Sequence, residues 1–520
     1  MPHTEQWEIS IDCATPEEAI QEHGLGEFSS SLADFGVEDI GPEGLMKLHQ
    51  QFRQDALARA DRAFGLVLVW LLASTNLDHV ARQGVRETDE KRWVNKGLKD
   101  ISVTMPSGVE VPLTVTYLLH KERRRAGRAK NHGNRGEQGS GCYPALEALG
   151  FDSHRRLSPL IEEVILYSGT VCDDFRTGFE MAELFGYQMS WKAYWSRFQR
   201  LAGQVRNHHD QWLFTEEGSS LIDADRWDQQ RVVIAVDGGR TRLRENKQGR
   251  PKKNGWRNFD AEWREPKLFA IYAIDDDGEP LREIEPIIDG TFGDADAFFE
   301  RLEATLTHLG IDRAAEVAFL GDGARWIWKR ARPLLERLGV DEECSVEGID
   351  FYHAFSALCK LSELPNWPDP AKTRWRLRAR KALKAGDIEQ LGKMIDGLSK
   401  SSGAEDAADK KDHFTNNAKR MQFELRRQQN LPEGSGAIES AIRRVVNLRM
   451  KGNGKFWKEE NAEAMLTVRS HLKSGRFHRL MTWWRRRRTR WWTTADRQRM
   501  RTSSSRSWPQ TGVRKDRKVA

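Results

Sequence analysis

Long apolar runs are missing from this chain: no stretch of about 18 consecutive apolar residues occurs, so no membrane-spanning helix is expected. A basic-then-apolar amino terminus is missing too, which argues against a secretory leader and for a cytoplasmic, nucleoid-associated protein. Cysteine is scarce. Cys13, Cys142, Cys172, Cys344 and Cys359 are odd in number and contain no C-x-x-C pair, so reduced thiols are expected rather than a disulfide framework or a zinc knuckle. At 520 residues the chain is too long for one compact core, and its apolar content suffices for two to four domains.

The net charge of +6 is spread unevenly. Residues 476–520 carry fifteen Lys or Arg and two Asp, a balance of +13 against the chain's +6, which leaves the other 475 residues at −7. RRRRTRWW at 485–492 interleaves guanidiniums with indoles, a composition that suits phosphate neutralisation and stacking on bases. The simpler expectation is a solvated basic terminus, separable from the rest of the protein.

Residues 1–45 are acidic and rich in Gly, Ser and Asp, and helical patterning follows up to residue 100. Residues 101–119 alternate around Pro106, Ser107 and Gly108 as a β-hairpin does, and 121–141 form a basic, glycine-rich linker. Three helices are predicted within 158–203, one starting at Ser158 and Pro159, one stopping at Gly186, and one capped by Ser190. The last pair fits a helix-turn-helix offering Trp191, Lys192 and Tyr194 to a DNA groove, or else a bundle with inward aromatics.

From residue 231 strands and helices alternate. Strands are predicted at 231–237, 267–275, 282–289, 316–321 and 346–351, with helices at 295–308 and 324–338. Residues 371–427 are charged and helix-forming, an all-α segment. The fold class is thus multidomain α+β: an acidic then helical region (1–100), a hairpin and basic loop (101–150) and a helical region (151–225) precede an α/β core. That core spans 226–365 and 431–475 around helices at 366–430, with the basic tail behind it.

Two apolar runs stop at an acid followed by glycine: VVIAVDGGRT at Asp237 and FLGDGARWIW at Asp322. Such a run reads as a buried strand presenting a carboxylate at its carboxyl end, where open α/β sheets bind ligands. GSGAIESAIRRVVNLRMKG brings a third acid, Glu439, at the start of a helix behind a tight loop. Three converging carboxylates outline a site for Mg2+ or Mn2+, and two such ions about 4 Å apart clamp the attacking and leaving oxygens of a phosphodiester. Other acids have ordinary explanations, Asp275 to Asp277 in a β-turn and Asp294 as an N-cap. Asp350, in Asp350-x-x-His353, stands at another strand end and is either an N-cap or part of the same pocket. Arg443 shares a helical face with Glu439, either beside the phosphate or in an i, i+4 ion pair. Arg444, Arg449 and Lys451 extend a basic surface, and Arg240 and Arg242 open a basic loop at 240–265 placed to track a DNA backbone.

The order Asp, Asp, Glu, together with GDGARWIW, DFYH, GSGAIESAIRRVVNLRMKGNGKFW and ENAEAML, resembles DDE transposases of bacterial insertion sequences. Within these it resembles the ISKra type, relatives of the Mutator-like group, over residues 140–475. The resemblance implies a ribonuclease-H-like core interrupted by an all-α insertion and preceded by helical DNA-binding regions. Asp237, Asp322 and Glu439 would be the catalytic metal ligands, with Asp350 and His353 as the supporting acid-x-x-His element. The implied partners are double-stranded DNA, both element ends and target, and further copies of the chain assembled on it. Many relatives carry a cysteine pair just before CYPALEALGF, and HKERRRAGRAKNHGNRGEQGSG stands there in this chain, which argues against a zinc-dependent contact. A nuclease or resolvase on the same core, and an inactive domesticated DNA-binding protein, are the alternatives.

Overall fold

A computed structural model describes residues 41–88, 92–120, 141–215, 221–248, 250, 258–399, 411–489 and 491–500. The expected acidic amino-terminal segment, up to residue 40, and the glycine-rich linker at 121–140 lie outside them. The fold is mixed α+β, in two compact units: residues 1–169, 175–197 and 485–520 in the first, residues 170–174 and 198–484 in the second.

The first unit begins with α1 (Pro42–Ser74) and α2 (Leu77–Thr88). A hairpin of β1 (Trp93–Thr104) and β2 (Glu110–His120) comes next, paired antiparallel, with β3 (Gly141–Cys142) against β2. The expected hairpin is present but starts earlier, so residues 93–100 are strand and not helix. Alternating apolar side chains Ile101, Val103, Val111, Leu113 and Val115 supply its buried face. After α3 (Pro144–Ala148) come α4 (Pro159–Val171), α5 (Phe175–Leu184) and the start of α6 (Trp191–Thr215). Leu160 N donates to Ser158 Oγ at 3.3 Å, and Ala193 N donates to Ser190 Oγ at 3.3 Å, as the capping pattern predicts. Helix α6 runs twelve residues beyond its predicted end at 203.

The second unit is built on a five-stranded mixed sheet. Its strands are β4 (Arg231–Gly238), β7 (Lys267–Ile274), β8 (Ile287–Thr291), β9 (Glu316–Gly321) and β10 (Ser345–Ile349), in the order β10-β9-β4-β7-β8. β9 and β10 run parallel to β4, and β7 and β8 form the antiparallel meander. β4 and β9 are buried almost throughout, which is why they read as continuous Val, Ile, Ala, Phe and Leu runs rather than alternating ones. The third strand starts at 287, later than the expected 282. Helices α7 (Ala295–Leu309) and α8 (Arg325–Arg337) make the crossovers; Asp294 caps α7, and Asp275 accepts the turn N–H groups of Asp277 and Glu279.

Between β4 and β7 the expected loop is a second hairpin, β5 (Thr241–Gln248) with β6 (Asn258–Arg264). After α9 (Phe351–Leu361), the described residues as far as 428 contain helices and irregular connections but no strand: α10 (Asp369–Lys384), α11 (Ile388–Ser399) and α12 (Phe423–Gln428). Helix α13 (Gly436–Ile442) then leads through a π-helical turn (Arg443–Asn447) to α14 (Glu459–Lys473).

The carboxyl-terminal segment departs from its expectation. α15 (Phe477–Arg488) and α16 (Thr494–Arg499) are folded, with Leu480, Met481, Trp483 and Trp484 buried, and Trp492 belongs to the core of the first unit. Arg485 pairs with Glu163, and Arg488 with Glu162 at 2.6 Å. Two of the arginines that composition assigned to phosphate, Arg485 and Arg488, therefore serve acids of the protein itself, and residues up to 500 are not a separable tail.

Candidate active site

Three parallel strands end at one level. Val236 and Ile349 are both in register with Gly321, so Asp237, Asp322 and Asp350, the next residue in each case, line the carboxyl edge of β4, β9 and β10. Helix α13 packs on β4 and β7 and carries Glu439 to the same edge.

The four acids have different surroundings. Asp237 Oδ1 accepts the Gly238 N–H at 2.7 Å, and Asp322 Oδ1 accepts the Ala324 N–H at 2.9 Å. Burial pushes the Asp237 carboxyl up to about 6; the Asp322 and Glu439 charges push the same way, and the Gly238 N–H and His353 oppose. This is an acid raised chiefly by burial, with like charges beside it and the His353 cation opposing them. Asp350 is the reverse. It is 1% exposed, its Oδ1 accepts the His353 N–H at 2.7 Å, and its Oδ2 accepts both the backbone N–H and the hydroxyl of Ser435, the latter at 2.7 Å. Burial works against its charge, but those hydrogen bonds prevail and hold the carboxyl well below the usual carboxylate range.

His353 Nδ1 lies 3.4 Å from Asp350 Oδ1 and 3.8 Å from Glu439 Oε1. The Asp350 carboxylate 3.4 Å away pushes its pKa up to about 9 against burial, with Asp237 and Glu439 contributing, so the ring is an imidazolium at neutral pH. Asp350, His353 and Glu439 are the residues whose potential ligand atoms all lie within 4.8 Å of one another among the described residues. As a cation site this trio is poor, since Asp350 already accepts hydrogen bonds on both oxygens and His353 carries a proton. The expected set Asp237, Asp322 and Glu439 offers oxygens only, the donor type Mg2+ and Mn2+ take, but its three carboxylates do not have ligand atoms all within 4.8 Å of one another.

Sequence reading missed the parts that hold this edge together. Ser435 is 1% exposed and ties the loop before Glu439 to Asp350. Arg426, on α12 and also 1% exposed, donates to Ile349 O at 2.7 Å and Pro432 O at 3.3 Å, pinning that loop to the end of β10. A Cβ on Gly323 would run into the His413 ring, so the glycine after Asp322 leaves room for an imidazole. The GSG spacing hinted at Ser435; nothing in the sequence marked Arg426 or His413.

The basic residues divide. Arg443 is exposed and forms no ion pair with Glu439, whose partner is His353. Arg444 and Lys451 are exposed; Arg444 also reaches Lys473 O at 3.3 Å. Arg449 contradicts its expected surface position: it is 2% exposed, with its guanidinium 5.3 Å from the Trp457 ring centre. The π-helical turn puts an extra residue into the ladder and rotates the residues beyond it, which carries Arg449 inward. Arg240 is exposed, and Arg242 donates to Gly452 O at 2.5 Å.

In the first unit, α5 is followed by Gly186 in the left-handed region and then by the start of α6. Lys192 is exposed, and Trp191 is 36% exposed with its ring against Phe179 and Tyr194. Tyr194 is fully buried and hydrogen-bonded to Ser168 at 2.8 Å, as the inward-aromatic alternative has it and not as a residue offered to a DNA groove. Trp195, 40% exposed, faces solvent instead.

No helix among the described residues is long and apolar enough to cross a membrane. The chain matches no family model, no curated protein and no solved structure.

Proposed function

We propose that the protein is a DDE-type DNA transposase that cleaves and joins the ends of an insertion sequence by phosphoryl transfer, without a covalent protein intermediate. The observation that supports this reading is the placement of Asp237 and Asp322 at adjacent strand ends, with Glu439 on the helix packed over them and near enough for both acids to add to the rise of the Asp237 carboxyl. The strand order β8-β7-β4-β9-β10, an antiparallel meander followed by two parallel strands, agrees with a ribonuclease-H-like core. The helices between α9 and Glu439 suit an all-α insertion in that core.

Two magnesium or manganese ions held by Asp237, Asp322 and Glu439 would supply activation of a water or 3′-hydroxyl and stabilisation of the leaving oxygen. The remaining residues position and charge the site. Asp350 keeps His353 protonated and aimed at the acids, where its positive charge favours an entering phosphate. Ser435 and Arg426 hold the loop that delivers Glu439, and exposed Arg443, Arg444 and Lys451 on and beyond its helix suit DNA phosphates. Double-stranded DNA is the substrate, and the chain acts as a homo-oligomer on it.

The test is strand cleavage and joining on DNA carrying the element's ends, with Mg2+ or Mn2+. Alanine at any one of Asp237, Asp322 or Glu439 is expected to abolish cleavage while end binding persists, because phosphate affinity comes from Lys and Arg elsewhere. Substantial cleavage by any one of these variants sinks the assignment, and cleavage by the wild type without joining of pre-cut ends makes it a nuclease.

A further inference from the structure

The β5–β6 hairpin starts at Thr241, four residues after Asp237, so its root lies within about 14 Å of that acid along the chain. Its neck is closed by Gly239 N donating to Pro266 O at 2.8 Å. The free edge of β5 is paired as well: Arg244 N donates to Trp457 O at 2.7 Å, and Trp457 N to Arg242 O at 3.1 Å. The described part of the hairpin is thus braced along β5.

Its two faces differ in chemistry. Arg242 is opposite Trp263 and Arg244 is opposite Ala261, so these share one face, while Leu243 with Glu262 and Thr241 with Arg264 share the other. On the first face the guanidiniums lie over rings: Arg240 and Arg242 are 4.8 and 5.4 Å from the Trp263 centre, and Arg242 is 4.5 Å from Phe456. Arg244 is 5.8 Å from Phe259, which packs edge-on against Phe456 at 5.1 Å. Glu262 is turned to the opposite face, where it meets Arg264. Trp263 is 47% exposed despite its two guanidiniums.

We propose that this face binds an unpaired DNA strand at the entrance to the acids, with Arg240, Arg242 and Arg244 on successive phosphates and Trp263 against a base. The inference rests on the transposase reading, and it adds where single-stranded ends are held. Arginines at alternate positions of a strand sit about 6.8 Å apart, a spacing that lets each reach a different phosphate of an extended chain. Stacking holds the guanidinium planes fixed, and although one Arg242 N–H is given to Gly452 O, a guanidinium carries five N–H donors, so little side-chain freedom is lost on binding. An indole needs no particular base to stack on, and it cannot reach the base faces inside a duplex, so the face favours unpaired DNA without choosing its sequence.

The experiment uses the full-length protein in EDTA, so that cleavage is not needed for the readout. The probes are a short single-stranded oligonucleotide containing a fluorescent purine analogue, and its duplex. The wild type is expected to quench the analogue and to bind the single strand more tightly than Trp263→Ala by roughly tenfold, with duplex affinity changed far less. Trp263→Phe should retain most of the quenching, and Arg242→Lys, which keeps the charge but not the stacked plane, should lose affinity. Thermal unfolding of each variant identifies any fold defect, and the exposed Trp263 is expected to give none. Quenching and single-strand affinity unchanged in a folded Trp263→Ala, or equal losses on both probes, overturn the proposal. Metal-dependent cleavage assayed in parallel reports on the transposase reading alone: cleavage with no Trp263 effect defeats only the hairpin, and a Trp263 effect without cleavage defeats only the enzyme.

Discussion

The second unit contains two groups of acids, and they are handled in opposite ways: one surrounds the buried Asp289, and the other joins half-buried Asp237 and Asp322 to the exposed Glu439. Behind β8, Asp289, Asp210 and Glu463 each meet an arginine. Arg301 pairs with Asp289 at 2.7 Å and with Asp210; Arg206 pairs with Asp210 at 2.7 Å and with Glu463 at 3.1 Å. Burial opposes the Asp289 charge, but Arg301 outweighs it and the carboxyl is held far below its ordinary range. At the carboxyl edge, Asp237 is raised to about 6 by burial and by two neighbouring acids. The Asp289 group is matched acid for arginine, whereas the carboxyl-edge acids share the single His353 imidazolium, which lowers the Asp237 pKa but does not overcome its burial.

Substitution should separate the groups. The largest effect expected is on activity: Asp237→Asn reduces strand cleavage to background, by several orders of magnitude, yet leaves the unfolding temperature unchanged or higher because a half-buried charge is gone. An equally large loss of stability would erase the distinction. Asp289→Asn is expected to do the opposite, costing on the order of 3–5 kcal/mol of stability by stranding part of Arg301, as measured by denaturant unfolding.

Acid sharpens the contrast through its sign. The folded Asp237 pKa lies above the unfolded value of about 3.9, so its cost is fully present above pH 6 and is relieved as the pH falls from 6 towards 4. Asp289 is depressed, so its contribution is fully present above about pH 4 and is lost on further acidification. Unfolding curves against pH should therefore lose their upper feature in Asp237→Asn and their lower one in Asp289→Asn.

A smaller effect concerns the carboxyl terminus. Deleting residues 501–520 removes six Lys or Arg and should lower DNA affinity and its salt dependence while cleavage survives. Deleting from 476 removes buried Leu480, Met481 and Trp484 and should give an unstable protein. Smallest of all, Lys192→Ala should weaken binding to the element's ends more than to random DNA in a competition assay; equal losses would make α6 a packing helix only.

The strands β4 and β9 were legible where burial on both faces turns them into unbroken apolar runs, and Asp237 and Asp322 were legible because each run stops at the acid; Asp350 follows the more polar SVEGI and was legible only as a strand end. The β5–β6 hairpin was hidden, since its exposed face is arginine and its partner strand is mostly exposed, so it reads as a polar loop. Arg449 was misplaced because a π-helical turn leaves no mark in residue periodicity. In the tail, basic composition masked a helix whose Phe477, Leu480, Met481 and Trp484 recur every three to four residues. Its acidic partners Glu162 and Glu163 lie more than 320 residues away in sequence, beyond any local pattern.

The claim that the crowded acids exist to bind a divalent cation is tested most directly by titrating Mn2+ into the protein and following free ion by electron paramagnetic resonance. The account predicts saturable binding by the wild type and by Asp289→Asn under conditions where the latter remains folded, and its loss in Asp237→Asn. Binding that persists undiminished in Asp237→Asn, or a wild type that binds no Mn2+ even with end DNA present, would contradict it.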